Sequence, residues 1–442
     1  MNKLFSYTVI FMCTMFVAKG QEPLWTMSAC MRYAVENSSA VKKQMYANDT
    51  YIAEQVSSVA SFFPSLSAGV SARYNFGRAI DPETNTYINT NTFNNGYELS
   101  TSLVVFDGGQ LVNQFRLAKK NRQSGINDLQ KAKDDLALKT MEAFVNVVYY
   151  QGISRFAAEK FKESNRILYK MHRQEELGLK SKSDIAQIEA QVAGDDYNLT
   201  YQKNMLNMSL LKLKELMNYP LDAELVVDTT DVVPIHLFAN EPIDDIYNMA
   251  KETNPVALKV EYQLQANKLT HLIQKGKLYP SIYLSAGIGT SYFDNLKSGS
   301  FDSQFRNNSG EYILFGVQIP LFDGLTRVRE VRRAGNNVRI AEEQQNEVLR
   351  QLHTAIVQSI LERDGYAKES IQMEKKLKSD EIAYQITYRK FEEGLMTTID
   401  LQTSANTLLE SKATLLQKKL MYLLKCKQVD YYKGEALTID NF

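Results

Sequence analysis

The sequence predicts a mainly α-helical chain with a small amount of membrane β-structure, built as a tandem duplication. Three observations predict this fold class. Residues recur at a constant offset of 216 along most of the 442-residue chain. Two proline-poor stretches are long enough for helices of about 67 residues, or about 100 Å. Alternating apolar segments of about ten residues, the length of a tilted membrane strand, lie between the helical stretches.

The composition argues against several classes of function. Basic and acidic side chains balance at 51 each, so the chain lacks the basic excess that nucleic-acid binding needs, and no nucleic-acid partner is expected. Only nine prolines and 21 glycines occur, which suits long helices.

The first 20 residues have the pattern of a secretory signal peptide. Lys3 precedes an apolar stretch from Leu4 to Val17, and the small residues Ala18 and Gly20 follow. A membrane anchor is the alternative, but the stretch is shorter than the ~18 residues that a span needs. We therefore expect residues 1–20 to be cleaved.

The duplication divides the rest of the chain. Gly178 and Asp184 recur as Gly394 and Asp400, and many other pairs share the offset. The predicted division is repeat one at 21–222, a linker at 223–239 and repeat two at 240–442. Each repeat is predicted to run helix, two strands, long helix, turn, helix.

The helices of repeat one follow from its breaks. The first is predicted from Thr26 to Phe62, since Pro64 follows it. A long helix is predicted between Gly109 and Gly178, and another from Ser183 to Met217. Because the two shorter helices together equal the long one, we expect them to stack end to end, antiparallel to it.

The strands are clearest in repeat two. One predicted apolar face contains Ile282, Leu284, Ala286, Ile288 and Tyr292, and the next strand contributes Ile313, Phe315, Val317, Ile319 and Leu321. The opposite face is small and polar, as in a water-filled lumen. The strands alone leave an ordinary soluble sheet open. If they meet lipid, four strands cannot close a barrel, so at least two chains must share one.

A three-residue motif marks each junction of strand and long helix. It occurs as Phe106-Asp107-Gly108 and as Phe322-Asp323-Gly324. We expect the aspartate to cap exposed helical N–H groups and the glycine to permit the turn. The phenylalanine would end the strand at the membrane boundary, where aromatic residues are enriched.

No residue pattern predicts an enzyme, a metal site or a cofactor. The four histidines, His172, His236, His271 and His353, lack ligand spacing, and no phosphate-binding loop or nucleophile elbow occurs. The acidic pairs Asp134-Asp135, Asp195-Asp196 and Glu342-Glu343 are expected to face water. Cys30 and Cys426 match apolar residues at the offset, which favours two core residues; a disulfide between them is the alternative.

Taken together, these features resemble the TolC-type outer-membrane efflux proteins of Gram-negative bacteria. The duplication, the Pro-Ser pairs at Pro64 and Pro280, the Phe-Asp-Gly junctions and the two helical turns carry the resemblance. The loop Asn75–Tyr87 resembles the loop of the family's branch that is found in Bacteroidetes. The resemblance implies a homotrimer with a twelve-stranded barrel in the outer membrane and an α-helical tunnel through the periplasm. It also implies a periplasmic adaptor (membrane fusion) protein and an inner-membrane pump as partners, and it places Val226–Val233 in a belt around the tunnel.

The resemblance also implies a gate at the helical turns. The tip residues Gly178, Leu179, Gly394 and Leu395 would close the periplasmic mouth and meet the adaptor. Asp400 would form an aspartate ring at the constriction, although Thr403 occupies the position where the family often has a second aspartate. Phe391 and Met396 replace the tyrosine and arginine that bond to the family's counterpart of Asp184. The lock must therefore differ or be weaker. The alternative for Asp400 is a simple helix cap.

These inferences predict the exit duct of a tripartite efflux or export system, which passes small molecules or secreted substrates. A structural or adhesive coiled-coil envelope protein is one alternative. A passive porin is another, but its sequence would consist mostly of strands.

Overall fold

The computed structural model describes residues 24–80, 85–89, 91–228, 235, 242–294 and 300–437. The predicted signal peptide, most of the predicted linker and His236 lie outside the described residues. Of the Val226–Val233 run, only residues 226–228 are described, and Val227 pairs with Trp25 in an isolated bridge.

The described residues are mainly helical, as predicted. The helices are α1 (Met27–Asn37), α2 (Ser39–Ala60), α3 (Gln110–Glu176), α4 (Lys182–Met217), α5 (Ile243–Thr253), α6 (Pro255–Gly276), α7 (Phe301–Asn307), α8 (Thr326–Glu392) and α9 (Thr398–Tyr432). The two long helices, α3 and α8, have 67 residues each. The last residues of α1, α2 and α3 lie 216 positions before the last residues of α5, α6 and α8, respectively.

The predicted first helix is wrong in one respect: it is two helices, α1 and α2. Ser38 interrupts them with extended backbone (φ −67°, ψ 127°), and its hydroxyl accepts a hydrogen bond from the N–H of Ala40 at 3.1 Å. Asn254 does the same in repeat two, where Pro255 opens α6. Serine and asparagine favour such N-caps because their short side chains replace missing helical acceptors.

Each long helix forms an antiparallel hairpin with the helix that follows it. We call α3 with α4 hairpin one, and α8 with α9 hairpin two. Helices α1, α3, α4 and α9 share an apolar core that includes Met31, Met141, Val147 and Leu213. A second core joins α5, α6, α8 and α9 around Ile356. Burial of these side chains holds the two repeats side by side.

One four-stranded antiparallel sheet carries the predicted membrane strands. Its strands are β1 (Ser65–Asn75), β4 (Thr92–Phe106), β5 (Ser281–Asp294) and β6 (Gly310–Gln318), in the order β1-β4-β5-β6. A small hairpin of β2 (Arg78–Ile80) and β3 (Tyr87–Asn89) leaves this sheet, and α7 lies between β5 and β6. In the described chain, β1 and β6 are its two edges.

Two further differences from the sequence predictions concern the end of a strand and the burial of two aspartates. Strand β6 ends at Gln318 rather than at Leu321, because Pro320 has no N–H to continue the ladder. Asp134 and Asp195 are buried instead of facing water. Successive helical residues point about 100° apart, so in these two pairs Asp135 and Asp196 face outward. Cys30 and Cys426, the cysteines of the described residues, are free, which agrees with the favoured expectation, and burial raises the pKa of the Cys30 thiol to about 12.

No helix among the described residues is both long enough and apolar enough to cross a membrane.

Candidate functional site at the helical turns

Both helical turns end in the same left-handed glycine. Gly178 and Gly394 each have φ +74°, a conformation that glycine adopts without strain. The following N–H groups, of Leu179 and Leu395, bond back to carbonyls of the helix at 2.8 Å. This motif satisfies the last helical acceptors. It also leaves the side chains of both leucines exposed at the tip.

The predicted gate aspartates are capping residues in this structure. Asp400 accepts hydrogen bonds from the N–H and hydroxyl of Thr397 at 2.9 and 2.7 Å, and Asp184 is bonded in the same way to Ser181. The Thr397 hydroxyl and amide hold the pKa of Asp400 below its usual value. The Ser181 amide and hydroxyl do the same for Asp184. Each aspartate therefore stays charged at the start of its helix, where the dipole favours an acid.

The two positions that depart from the resemblance form apolar contacts. Phe391 is buried in a cluster of six described side chains, and Met396 packs against it. The members of the cluster are Ile167, Met171, Ile185, Ile188, Phe391 and Leu401. Thr403 is exposed, and its hydroxyl donates to the carbonyl of Ile399 at 2.9 Å. An apolar plug between the hairpins therefore stands where the resemblance implied polar bonds.

A polar cluster that the sequence did not reveal joins the hairpins next to this plug. Lys170 of α3 forms an ion pair with Glu392 of α8 at 2.6 Å. Arg166 donates to the hydroxyl of Tyr388 at 2.7 Å, and that hydroxyl donates to Glu392 at 3.0 Å. We call these four residues the clasp.

The clasp is charged over a wide pH range. Its hydrogen bonds from Lys170 and Tyr388 hold the pKa of Glu392 below its usual value, and Glu392 raises the pKa of Lys170. Both side chains are about half exposed, so solvent screens their attraction. The clasp therefore fixes how the two hairpins are positioned and adds little to the stability of the fold.

A cavity of about 400 Å³ opens between the hairpins beside the clasp. Its walls combine apolar side chains such as Phe156 and Leu408 with charged ones such as Glu159, Arg389 and Lys412. Tyr384 lines it too, and burial raises the pKa of Tyr384 to about 12. The hairpins therefore leave a space between them beside the plug and the clasp.

At the other end of the long helices lie the two Phe-Asp-Gly junctions. The Asp107 carboxylate accepts from the N–H of Leu111 at 2.8 Å, and Asp323 accepts from Arg327 at 3.0 Å. Gly108 and Gly324 have positive φ. A Cβ on Gly108 would lie 2.3 Å from the carbonyl oxygen of Gly276, whereas one on Gly324 would meet nothing within 4 Å. Phe106 and Phe322 are exposed.

The four-stranded sheet has two chemically different faces. Leu284 lies between Leu103 and Phe315 in the register, and the neighbouring apolar residues of β5 and β6 pair in the same way. This face is exposed along the sheet; Ile313 keeps 81% of its surface. On the opposite face, hydroxyls bond across strands, as Ser67 does with Ser100 at 3.0 Å. An exposed apolar face of this extent suits lipid, and the hydroxyl face suits water.

The clasp left a trace in the sequence that the offset could have revealed. Arg166 and Lys170 correspond to Ile382 and Ile386, and Tyr388 corresponds to His172. These are departures from the repeat at residues where the hairpins meet. The predicted site residues either obey the repeat or follow from the resemblance, as Phe391, Met396 and Thr403 do, so the prediction did not include the clasp.

Comparison with known proteins agrees with this architecture. The model of the outer membrane efflux protein family matches residues 246–429. No curated protein matches the sequence.

Solved structures match over nearly the whole chain. The CmeC outer membrane channel of Campylobacter jejuni has a TM-score of 0.80 at 16% identity, covering 92% of this chain and 85% of its own. The outer membrane protein VceC of Vibrio cholerae has a TM-score of 0.76 at 15% identity, covering 93% and 96%. A structure of CusC has a TM-score of 0.78 at 13% identity, covering 95% and 96%. At these identities the likeness establishes the fold.

The family model covers most of repeat two, and repeat one has the same helices at the same offset. Repeat two therefore resembles the outer membrane efflux proteins, and nearly the whole chain shares the fold of the solved outer membrane channels.

Proposed function

We propose that this protein is the exit duct of a tripartite efflux or export system and works as a homotrimer. In this arrangement, three chains share a twelve-stranded barrel and a helical tunnel. A periplasmic adaptor and an inner-membrane pump deliver small molecules or secreted substrates to the tunnel.

The observation that carries this proposal is the sheet. Its two edges, β1 and β6, leave backbone groups without strand partners within the described chain, and such groups cost several kcal/mol each in lipid. Its apolar face is exposed, as a lipid-facing wall must be. Edge-to-edge pairing with other copies gives these backbone groups strand partners, and three copies give twelve strands.

The tip supports a role in gating and docking. Leu179 and Leu395 are exposed on the turns, where an adaptor can reach them. Asp184 and Asp400 keep their charge beside these turns. The lock between the hairpins consists of the Phe391 plug and the clasp. Replacing both leucines with aspartate should weaken adaptor binding and leave conductance unchanged.

Single-channel recording of the mature protein tests the duct. We expect discrete conductance steps in a planar bilayer and a mass of three chains in mild detergent. A structural or adhesive coiled-coil protein would give no conductance. A stable monomer in detergent would contradict the shared barrel.

A further inference from the structure

The cavity between the hairpins is lined by all four of their helices. Its wall contains Phe156 of α3, Ile188 of α4, Tyr384 of α8 and Leu408 of α9. On the tip side, the plug and the clasp close it. On the side away from the tip, the Lys412 ammonium of α9 lies 5.8 Å from the centroid of the Phe156 ring. Contacts between the two hairpins therefore bound the cavity at both ends.

The mouth of the cavity lies between α3 and α8. Glu159 and Arg166 of α3 and Arg389 of α8 line the cavity, and all three are exposed to solvent. By contrast, Ile188 and Leu401 of the same wall are buried. A small molecule can therefore enter from solvent between these two helices and reach an apolar interior.

The interior combines an apolar surface with a polar group that can still form a bond. Phe156, Leu408 and Leu409 are only partly exposed and supply much of the apolar wall. The Tyr384 hydroxyl has no hydrogen-bond partner among the residues that the structure describes. Because burial raises the pKa of Tyr384 to about 12, this hydroxyl keeps its proton at neutral pH and can donate. Small-molecule sites typically have such a lining, apolar with a few polar groups that orient the ligand.

The charges that line the cavity leave a positive excess. Lys160 and Arg166 each form an ion pair within hairpin one at 2.8 Å. Arg389 and Lys412 also line the cavity, and neither forms an ion pair with a described residue. Glu159 is an acid of the wall that likewise has no ion pair in the described chain. The unpaired charges therefore sum to one positive charge, which attracts an anion into the cavity.

We infer that this cavity is a binding site for an amphipathic organic anion, with an aromatic or polycyclic body and a single carboxylate or sulfonate group. Its volume of about 400 Å³ lies within the range of about 300–1,000 Å³ that small-molecule sites occupy. The apolar body packs between Phe156 and Leu408. The anionic group lies at the mouth, where Arg389 can donate to it.

The bound anion holds the two hairpins together. Since both hairpins supply the wall, a movement that separates them near the tip removes part of the ligand's contacts. A ligand shifts an equilibrium towards the state that it binds more tightly. The anion therefore favours the arrangement in which the clasp is closed, and it lowers the open fraction of the channel. This effect, unlike the binding itself, rests on the proposed duct.

Titration of the mature protein in detergent with pyrene-1-sulfonate tests the site. Fluorescence anisotropy should show saturable binding of one molecule per chain. The matched cation, 1-pyrenemethylammonium, has the same ring system and should show no saturable binding. Uptake of either probe into the detergent micelle does not saturate, so it is distinguished from binding to the cavity.

Two substitutions at the mouth should change the affinity in opposite directions. Arg389→Ala should weaken binding about tenfold, because it removes a charge-assisted hydrogen bond. Glu159→Gln should tighten binding, because it removes the unpaired acid of the wall. Arg339→Ala is the matched control: it removes an exposed arginine of α8 that does not line the cavity, and it should leave the affinity unchanged.

A substitution that fills the cavity provides an independent check. Leu408→Trp places a larger side chain in the interior and should abolish saturable binding. If this variant does not fold, Arg389→Ala and Glu159→Gln still decide, because both replace exposed side chains. Equal affinities of the parent and these two variants would overturn the site, as would binding that does not saturate.

Single-channel recording tests the effect on opening. Pyrene-1-sulfonate added on the side of the tip should lower the open fraction of the parent. The same decrease in Arg389→Ala should need about tenfold more probe, which separates it from direct block of the tunnel. An unchanged open fraction at saturating probe would overturn the preference for the closed arrangement. If the parent gives no conductance, the proposed duct fails, whereas the titration still decides the site.

Discussion

Asp195 of α4 and Ser411 of α9 occupy the same repeat position. Each forms a serine–aspartate hydrogen bond across its hairpin, but the aspartate and the serine lie on opposite helices in the two hairpins. Asp195 accepts from the hydroxyl of Ser164 on α3, whereas the hydroxyl of Ser411 donates to Asp380 on α8. Ser164 and Asp380 are also equivalent, and so are Lys160 and Lys376, which pair with the aspartates at 2.8 and 2.6 Å. Serine and aspartate have exchanged helices while the lysine has stayed.

This exchange predicts compensation between two substitutions. Asp195→Ser should lower the free energy of unfolding by about 3 kcal/mol, because it leaves the largely buried Lys160 without its counter-ion. Adding Ser164→Asp should restore most of the loss, since it reproduces the arrangement of hairpin two. Thermal unfolding of the three proteins measures this. A double variant no more stable than Asp195→Ser would show that the two triads are not equivalent.

The glycines of the two junctions provide a matched pair. Gly108→Ala should prevent correct assembly, because its Cβ would collide with the Gly276 carbonyl and its φ is positive. Gly324→Ala carries only the strain of positive φ, about 1 kcal/mol. The yield of assembled protein in outer-membrane fractions distinguishes them. Equal yields would mean that α6 can move away from the junction at little cost.

The two faces of the sheet should respond oppositely to one charge. Leu284→Arg places a cation on the apolar face and should cost about 2–4 kcal/mol if it lies near the membrane midplane. Ser285→Arg places it on the face where Ser285 bonds to Ser102 at 3.2 Å, and it should assemble with altered conductance. Heat-stable oligomer on a gel and single-channel recordings measure both. If both variants assemble equally, the lipid and lumen faces have been assigned wrongly.

The helices could be predicted from the sequence because glycine or proline residues mark where they end. Gly109, Gly178 and Pro64 set the ends of the long segments, and the constant offset supplied a second copy of each signal. The break at Ser38 was missed because a serine inside an apolar pattern looks like any exposed helical residue. Asn254-Pro255, at the same repeat position, carried the stronger signal.

The site was harder to predict, since it depends on contacts between the repeats. The turns and caps are local, so Gly178, Gly394, Asp184 and Asp400 were found. The clasp joins α3 to α8 across 222 residues of sequence, and no local pattern specifies that pairing. The buried Asp134 shows the same limit: its bond to Tyr431 depends on tertiary packing.

The clasp should restrain the hairpins and therefore the channel. Glu392→Gln removes the ion pair with Lys170 and should raise the open fraction in single-channel recordings. The hydrogen bond from Lys170 holds the pKa of Glu392 below its usual value of 4.5 in the folded protein, so its contribution is present above that value. It is lost as the pH falls through the depressed value. The open fraction of the parent should therefore approach that of the variant only in strong acid. Equal open fractions at neutral pH would show that the clasp plays no part in gating.

Asp400 is the sharpest test of the tip. Three copies around a tunnel would form a carboxylate ring, which attracts cations in a confined opening. The bonds from Thr397 depress its pKa, so the carboxylate is charged above about pH 4, and recordings at neutral pH sample the ionised form. Asp400→Asn removes the charge and keeps an oxygen that can accept the capping bonds. We expect lower cation preference, loss of block by multivalent cations and an intact trimer.

Asp184→Asn is the matched control for this variant. Asp184 has the same capping bonds in hairpin one, and it stands where the resemblance implies a lock partner instead of the ring. With Phe391 and Met396 in apolar contact, Asp184→Asn should leave both selectivity and opening close to those of the parent. If Asp400→Asn behaves like Asp184→Asn in selectivity and cation block, Asp400 serves only as a helix cap. The charged residue at the narrowest point of the tunnel would then be a different one.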